Sequence, residues 1–179
     1  MRPEPFVASL ARARFGDAFN FYRHGRGAAL RRRRLLEYLE SRWEAPILLV
    51  GEAPGYRGAR VSGIPFTSER QLSGTGSAEA TASIVQRTLT ELGLVDRVLL
   101  WNVVPAHPHR PGVPASNRPP TRAEIEAGRP FVDALGAGRL VVPVGRVAGT
   151  ALCRPWVRHP SRGGAEAFRR GLREVLAGL

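Results

Sequence analysis

The sequence predicts an α/β fold: a three-layer α/β/α sandwich around a short, mainly parallel four-stranded sheet. Three observations carry that expectation. Short, uniformly apolar runs recur at "PILLV" (46–50), "RVLLW" (97–101) and "RLVVPV" (139–144). A strand apolar on both faces belongs in a parallel sheet covered from both sides. Segments of helical spacing separate these runs, giving the alternation from which parallel sheets are built. The length, 179 residues, suits one domain over 1–179 with a sizeable core.

Taken in order, residues 1–27 with the aromatic-dotted "FNFYRHGRG" read as a loose segment packed at an edge. "AALRRRRLLEYLESR" (28–42) sets Leu30, Leu35, Leu36 and Leu39 at helical spacing, and Arg31 to Arg34 wrap around them mainly as a solvated face. After the first strand, "SAEATASIVQRTLTELGL" (77–94) is the next helix. The second strand runs into "NVVPAHPHRPGVPASNRPP", a Pro-rich loop too long for a simple connection. "TRAEIEAGRPFVDALGA" (121–137) opens with Thr121 and Glu124 in capping-box spacing. Beyond the third strand come a short helix (146–152), a brief fourth strand near "WVR" (156–158) and a helix over 165–179. Trp43, Trp101 and Trp156 are expected in or near the core, and Cys153 as a small buried side chain.

Charge narrows the class of partner. There are 27 basic residues, all Arg, against 15 acidic ones, a formal net charge of +12. Such a chain is drawn to polyanions and repels itself without one. Nucleic acid is the favoured partner over a membrane. No run reaches the ~18 apolar residues that a bilayer span requires, and Met1-Arg2-Pro3-Glu4 does not open like a secretory signal. A cytoplasmic monomer is expected. Cys153 is the lone cysteine, so an intrachain disulfide or a Cys-based zinc or iron–sulfur site lacks its ligands. His107 and His109 sit on a Pro loop without a third ligand and are expected to touch phosphate or solvent. No metal and no cofactor are expected.

In an open parallel sheet the ligand site gathers outside the carboxyl ends of the strands. That singles out "GEAPG" (51–55), "NVVPAHP" (102–108) and "HPSRGG" (159–164), which follow the first, second and fourth strands. Glu52, Asn102 and His159 bring polar chemistry and little packing value to those places.

Three such loops in this order resemble the uracil-DNA glycosylase superfamily, above all the branch usually called family 4. Gly51-Glu52-Ala53-Pro54-Gly55 matches that branch's first motif, and Gly63-Ile64-Pro65-Phe66 is similar to its G-x-P-F segment. Asn102 stands where these enzymes carry a base-reading Asn. "NRPPTRAEI" is like their N-R-x-P-T stretch, "VVPVGRVAGTAL" resembles the segment before the last motif, and His159-Pro160-Ser161 matches its H-P-S. The likeness covers roughly residues 45–165.

The resemblance implies a monofunctional DNA glycosylase that hydrolyses the N-glycosidic bond of uracil, or another deaminated base, in DNA during base-excision repair. The alternative is a DNA-binding member of the same fold with little or no turnover. Under the enzymatic reading a nucleotide is extruded from DNA at a cost of a few kcal/mol. Arg and the backbone at Gly51, Pro54, Gly55, Pro160, Ser161 and Arg162 would grip phosphates and offset it. Ala53, Phe66 and Asn102 would receive the base, Phe66 by stacking and Asn102 by an amide that both donates and accepts. His159 as a neutral imidazole would donate to uracil O2 as charge develops there. Glu52 would stabilise the oxocarbenium-like sugar and take the proton of the attacking water. With no Lys in the chain, the usual Schiff-base nucleophile of a lyase step is missing.

Three departures from the branch stand out. Its iron–sulfur cluster is held by four Cys, and the corresponding places near the Asn loop and in the following helix here are Ala106 and Gly128. Tyr56, Arg57 and Gly58 replace its second acidic patch, which leaves Glu52 as the sole carboxylate of the motif. Arg162, Gly163 and Gly164 follow H-P-S, so that duplex probing falls to Arg162.

Overall fold

The structure, a computed structural model, describes residues 2–177. Its elements are α1 (Pro3–Arg12), α2 (Ala28–Arg42), β1 (Ile47–Gly51), α3 (Ala59–Ser62), α4 (Glu69–Ser73), α5 (Ala80–Glu91), β2 (Val98–Asn102), α6 (Arg122–Gly136), β3 (Leu140–Pro143), α7 (Arg146–Leu152) and α8 (Ala165–Ala177). Positions 178–179 of the expected last helix lie outside the described residues.

The sheet has the order β2-β1-β3, and both pairings are parallel. Ile47 through Gly51 stand opposite Val98 through Asn102, and Ile47 through Val50 opposite Leu140 through Pro143. Side chains alternate across a strand, so each strand feeds two cores. Leu48, Val50, Leu99 and Trp101 pack with Phe6, Leu10, Leu35, Leu39, Val132 and Leu135, from α1, α2 and α6. Ile47, Leu49, Val98 and Leu100 pack on the other face with Val85 and Leu89 of α5 and Phe168 and Leu172 of α8. Helices on both faces explain why the strands read as unbroken apolar runs.

The sheet holds three strands, not four. Val157 makes a single parallel bridge to Val144, its N–H donating to Pro143 O (3.0 Å) and its carbonyl accepting from Gly145 N–H (2.8 Å). A parallel ladder would need the next donor two residues earlier, at Pro155, which has no N–H. On the far side Gly145 turns into α7 with φ 87°. One bridge is all the sequence permits.

The amino-terminal segment is likewise more ordered than expected. Pro3 opens α1, a position where its missing N–H costs nothing, and Phe6, Val7 and Leu10 bury one helix face. Phe15, Phe21 and Tyr22 are each almost wholly buried. Trp156 and Cys153 differ in the opposite sense: Trp156 is 49% exposed and Cys153 lies at the surface. Trp101 is in the core as expected. Among the described residues no helix is long and apolar enough to cross a membrane.

The capping box at α6 forms as the spacing requires. Glu124 N–H donates to Thr121 Oγ1 (3.3 Å), and Thr121 N–H donates to the Glu124 carboxylate (2.8 Å). Glu124 is only 1% exposed and also receives both Arg118 nitrogens, at 2.8 and 2.5 Å. Burial would by itself raise the Glu124 carboxyl, but the Arg118 and Thr121 hydrogen bonds override it and hold the group below its ordinary value. Arg118→Ala would strand this carboxylate. The expected loss, read by urea denaturation, is about 3–5 kcal/mol; a loss below ~1 kcal/mol would mark the pair as no stronger than a surface ion pair.

Candidate active site

The sequence-predicted residues come from loops at the carboxyl ends of the strands. β1 ends at Gly51 and delivers Glu52 and Ala53; β2 ends at Asn102; the stretch after the Val157 bridge delivers His159. A cavity of about 230 Å³ opens between them. Glu52, Ala53, Pro54, Gly55, Phe66, Asn102 and His159 all line it. It is smaller than the ~300–1,000 Å³ of pockets for drug-sized ligands, a size for one planar base. Gly51 lies beneath the floor, and Pro160, Ser161 and Arg162 lie outside the lining. Pro160 is buried and Arg162 exposed, with φ 52°.

Gly51 is held to glycine by what lies on it. A Cβ there would come 2.8 Å from Asn102 Oδ1 and nearer still to the Phe66 ring edge. The backbone therefore lets the ring and the amide close over it. Phe66 itself has φ 51°, a left-handed conformation that is an outlier for a bulky residue and is kept only where surroundings enforce it. The enforcement is visible. Gln86 Nε2 donates to Phe66 O and Thr67 Oγ1, both at 3.2 Å, and Ser62 Oγ donates to Thr67 O at 2.6 Å. Gly51→Ala is expected to displace ring and amide together and, if the chain releases a base as the family likeness implies, to slow that release about 10²-fold, the scale of a 1 Å misplacement. Single-turnover cleavage measures it, and a wild-type rate would show that the ring does not have to lie there.

His159 has a defined tautomer. Its Nδ1 accepts from Ser161 N–H (3.2 Å) and pairs with Ser161 Oγ (2.8 Å). A ring nitrogen that accepts from a backbone N–H carries no hydrogen, so in the neutral imidazole the proton sits on Nε2. Burial, and then the charge of Arg158, pull the His159 pKa below its ordinary value. The ring thus enters neutral solution as an uncharged Nε2–H donor. Ser161 acts here through His159.

Glu52 makes no hydrogen bond or ion pair with its carboxylate among the described residues, and Arg57 beside it is exposed rather than paired with it. Burial raises its pKa. The main chain carrying it is fixed instead: Val103 N–H donates to Gly51 O (2.8 Å) and Val104 N–H to Glu52 O (3.0 Å).

The sequence misplaces His107, which supports the cavity from behind, and leaves Glu79 of its lining unmarked. His107, expected at phosphate or solvent, is wholly buried, and its Nδ1 lies 2.9 Å from Pro54 O. A carbonyl can only accept, so Nδ1 carries the hydrogen and ties the Asn102 loop to the GEAPG loop. Burial lowers its pKa. Glu79, at the start of α5, lines the same cavity. It sits in "SAEAT", which reads simply as helix, and no periodicity marks it. Asn117 adds a rim contact, its Oδ1 accepting from Tyr56 N–H (2.9 Å).

An iron–sulfur cluster does not fit this chain. Ala106 is fully buried, and a Cβ on Gly128 would run into the Val103 carbonyl. Close backbone contact fills the place of those two ligands, and the lone Cys153 is at the surface.

No curated protein matches the chain by sequence. Among solved structures, wild-type Pedobacter heparinus SMUG2 is similar, with a TM-score of 0.66 at 11% identity, over 99% of this chain and 98% of that one; the likeness is one of fold. A family model described as the uracil DNA glycosylase superfamily matches residues 39–177, a span that holds every lining residue of the cavity. The chain belongs to the uracil DNA glycosylase superfamily.

Proposed function

We propose that this protein is a monofunctional DNA glycosylase that hydrolyses the N-glycosidic bond of uracil, or another deaminated base, in DNA, acting as a cytoplasmic monomer. The observation that carries the reading is the meeting of an unpaired Glu52, Asn102 and the Nε2–H form of His159 around one cavity of nucleobase size. The extruded base lies against Phe66 with its O4 and N3–H edge toward the Asn102 amide; cytosine, with that pattern reversed, is opposed. As the bond to C1′ breaks, its electron pair leaves with the base. Charge gathers on O2, where His159 donates. The sugar becomes cationic, and the Glu52 carboxylate faces it and receives the proton of the water that attacks C1′. An abasic site remains. The net charge of +12 supports DNA over a free nucleoside as substrate, because a small ligand needs no broadly basic surface.

Oligonucleotides carrying uracil, hypoxanthine or xanthine, in single and double strands, test the reading. Incubation followed by alkali is expected to cleave at the lesion. Salt-sensitive binding with intact strands across the whole panel would leave a DNA-binding member without turnover.

A further inference from the structure

The carboxylates of this chain fall into three groups. Most pair with Arg: Glu37, Glu69, Glu91, Asp96, Glu124, Glu126, Asp133, Glu166 and Glu174. Glu4, Asp17, Glu40 and Glu44 are unpaired and exposed, solvated by water. Glu52 and Glu79 alone are partly shielded from solvent with no ion pair, and no hydrogen bond to either carboxylate occurs among the described residues. Both line the one cavity.

A shielded, unpaired carboxylate is costly, and in a chain with 27 Arg a partner is easy to supply. The usual structural reasons for Glu79 are missing. It occupies the cap position before α5 yet makes no capping hydrogen bond. Nor is it forced inward by packing, since it leans over two glycines: a Cβ on Gly55 would lie 3.3 Å from its Oε1, and one on Gly58 would collide with its carboxylate. The GEAPG loop and its extension are bare where Glu79 reaches across them.

This inference rests on the glycosylase reading. We propose that Glu79 is a second catalytic carboxylate, which with Glu52 supplies the negative charge facing the sugar as it becomes cationic. It stands in, from a different element, for the acidic patch that Tyr56, Arg57 and Gly58 do not provide. The balance of the step is unchanged. The C1′–N pair departs with the base, water oxygen forms the new bond to C1′, and the water proton passes to Glu52 and on to the released base. Glu79 contributes charge and takes no proton. A cationic sugar offsets the burial of two like charges, and the neutral ground state does not, so the stabilisation is selective for the transition state.

Binding to a pair of lesion mimics tests this without turnover. One oligonucleotide carries a protonated pyrrolidine ring at the lesion position, the other a neutral tetrahydrofuran ring. The wild type is expected to prefer the cationic ring, and Glu79→Gln to lose about tenfold of that preference, within the range of one charge pair at partial screening. Glu79→Asp keeps the charge and is expected to retain most of it. Single-turnover release of uracil should fall about 10²-fold in Glu79→Gln, the lower end of the loss of one preorganised electrostatic group. Burial raises the Glu79 pKa, so the folded protein holds that proton more tightly than the unfolded chain, and Glu79→Gln is expected to melt no lower than wild type at neutral pH. A Glu79→Gln protein with the wild-type charge preference and rate would overturn the inference and leave the glycosylase reading intact. A wild type that releases no base anywhere in the lesion panel would overturn that reading, and this inference with it.

Discussion

Glu52→Gln is expected to reduce uracil release by about 10²–10⁴-fold, the range of a lost general base, while DNA affinity stays near that of wild type. Nothing in the fold depends on this side chain: its carboxylate has no partner, and the loop that carries it is held by the Val103 and Val104 amides. The sign of the pH linkage sharpens the expectation. Burial raises the Glu52 pKa, so between the ordinary carboxyl value and the raised one the folded state binds more protons than the unfolded chain. Stability therefore falls as pH rises through that window, and at neutral pH the ionised group is a net cost. The glutamine variant should melt at or above the wild-type temperature at pH 7. Its activity loss would then not be a loss of fold. In wild type the rate should decline on the acid side as Glu52 gains its proton, with the inflection above the ordinary carboxyl range. A glutamine variant as fast as wild type would mean that the water is activated elsewhere.

His159→Ala is expected to cost about 10²–10³-fold in single-turnover rate, the usual effect of removing one preorganised donor at a developing oxyanion. His159→Gln, which can offer an N–H from a similar distance, should recover part of that loss. The linkage runs opposite to Glu52. Burial, then Arg158, lower the folded pKa, so between the lowered and the ordinary value the unfolded chain binds more protons. The contribution of His159 to stability is complete above the ordinary histidine value and is lost as pH falls through the window below it. The alanine variant should show a flatter dependence of melting temperature on pH across that window. An alanine variant that keeps the wild-type rate would remove His159 from the chemistry.

The central architecture could be read from the sequence because a single physical cause, burial on both faces, wrote it plainly. Ile47 to Val50 and Val98 to Trp101 are apolar without alternation, and the structure uses both faces of each. Thr121 and Glu124 announced the start of α6 by a purely local hydrogen-bond pattern. What stayed hidden depended on distant partners. α1 was masked by Pro3 and Pro5, residues that break helix interiors but suit a first turn. The fourth strand looked plausible from "WVR", yet its extension fails on a missing amide at Pro155. Trp156 lies against Gly149, where a Cβ would meet its ring, and leaves its other side to solvent. In the site, Glu52, Asn102 and His159 were legible as polar residues of little packing value at the ends of strands, and Phe66 through the likeness of Gly63-Ile64-Pro65-Phe66 to a family segment. His107 and Glu79 were not. The first shows its purpose only through the Pro54 carbonyl, and the second only through the emptiness above Gly55 and Gly58.

The most direct measurement is a crystal structure with DNA containing 2′-fluoro-deoxyuridine, whose electron-withdrawing fluorine disfavours the cationic sugar and keeps the bond intact. The uracil is expected outside the helix stack, its ring on Phe66, its O4 and N3 edge within hydrogen-bond distance of the Asn102 amide, and O2 facing His159 Nε2. A uracil still stacked between its neighbours, or one bound away from these three side chains, would contradict the account.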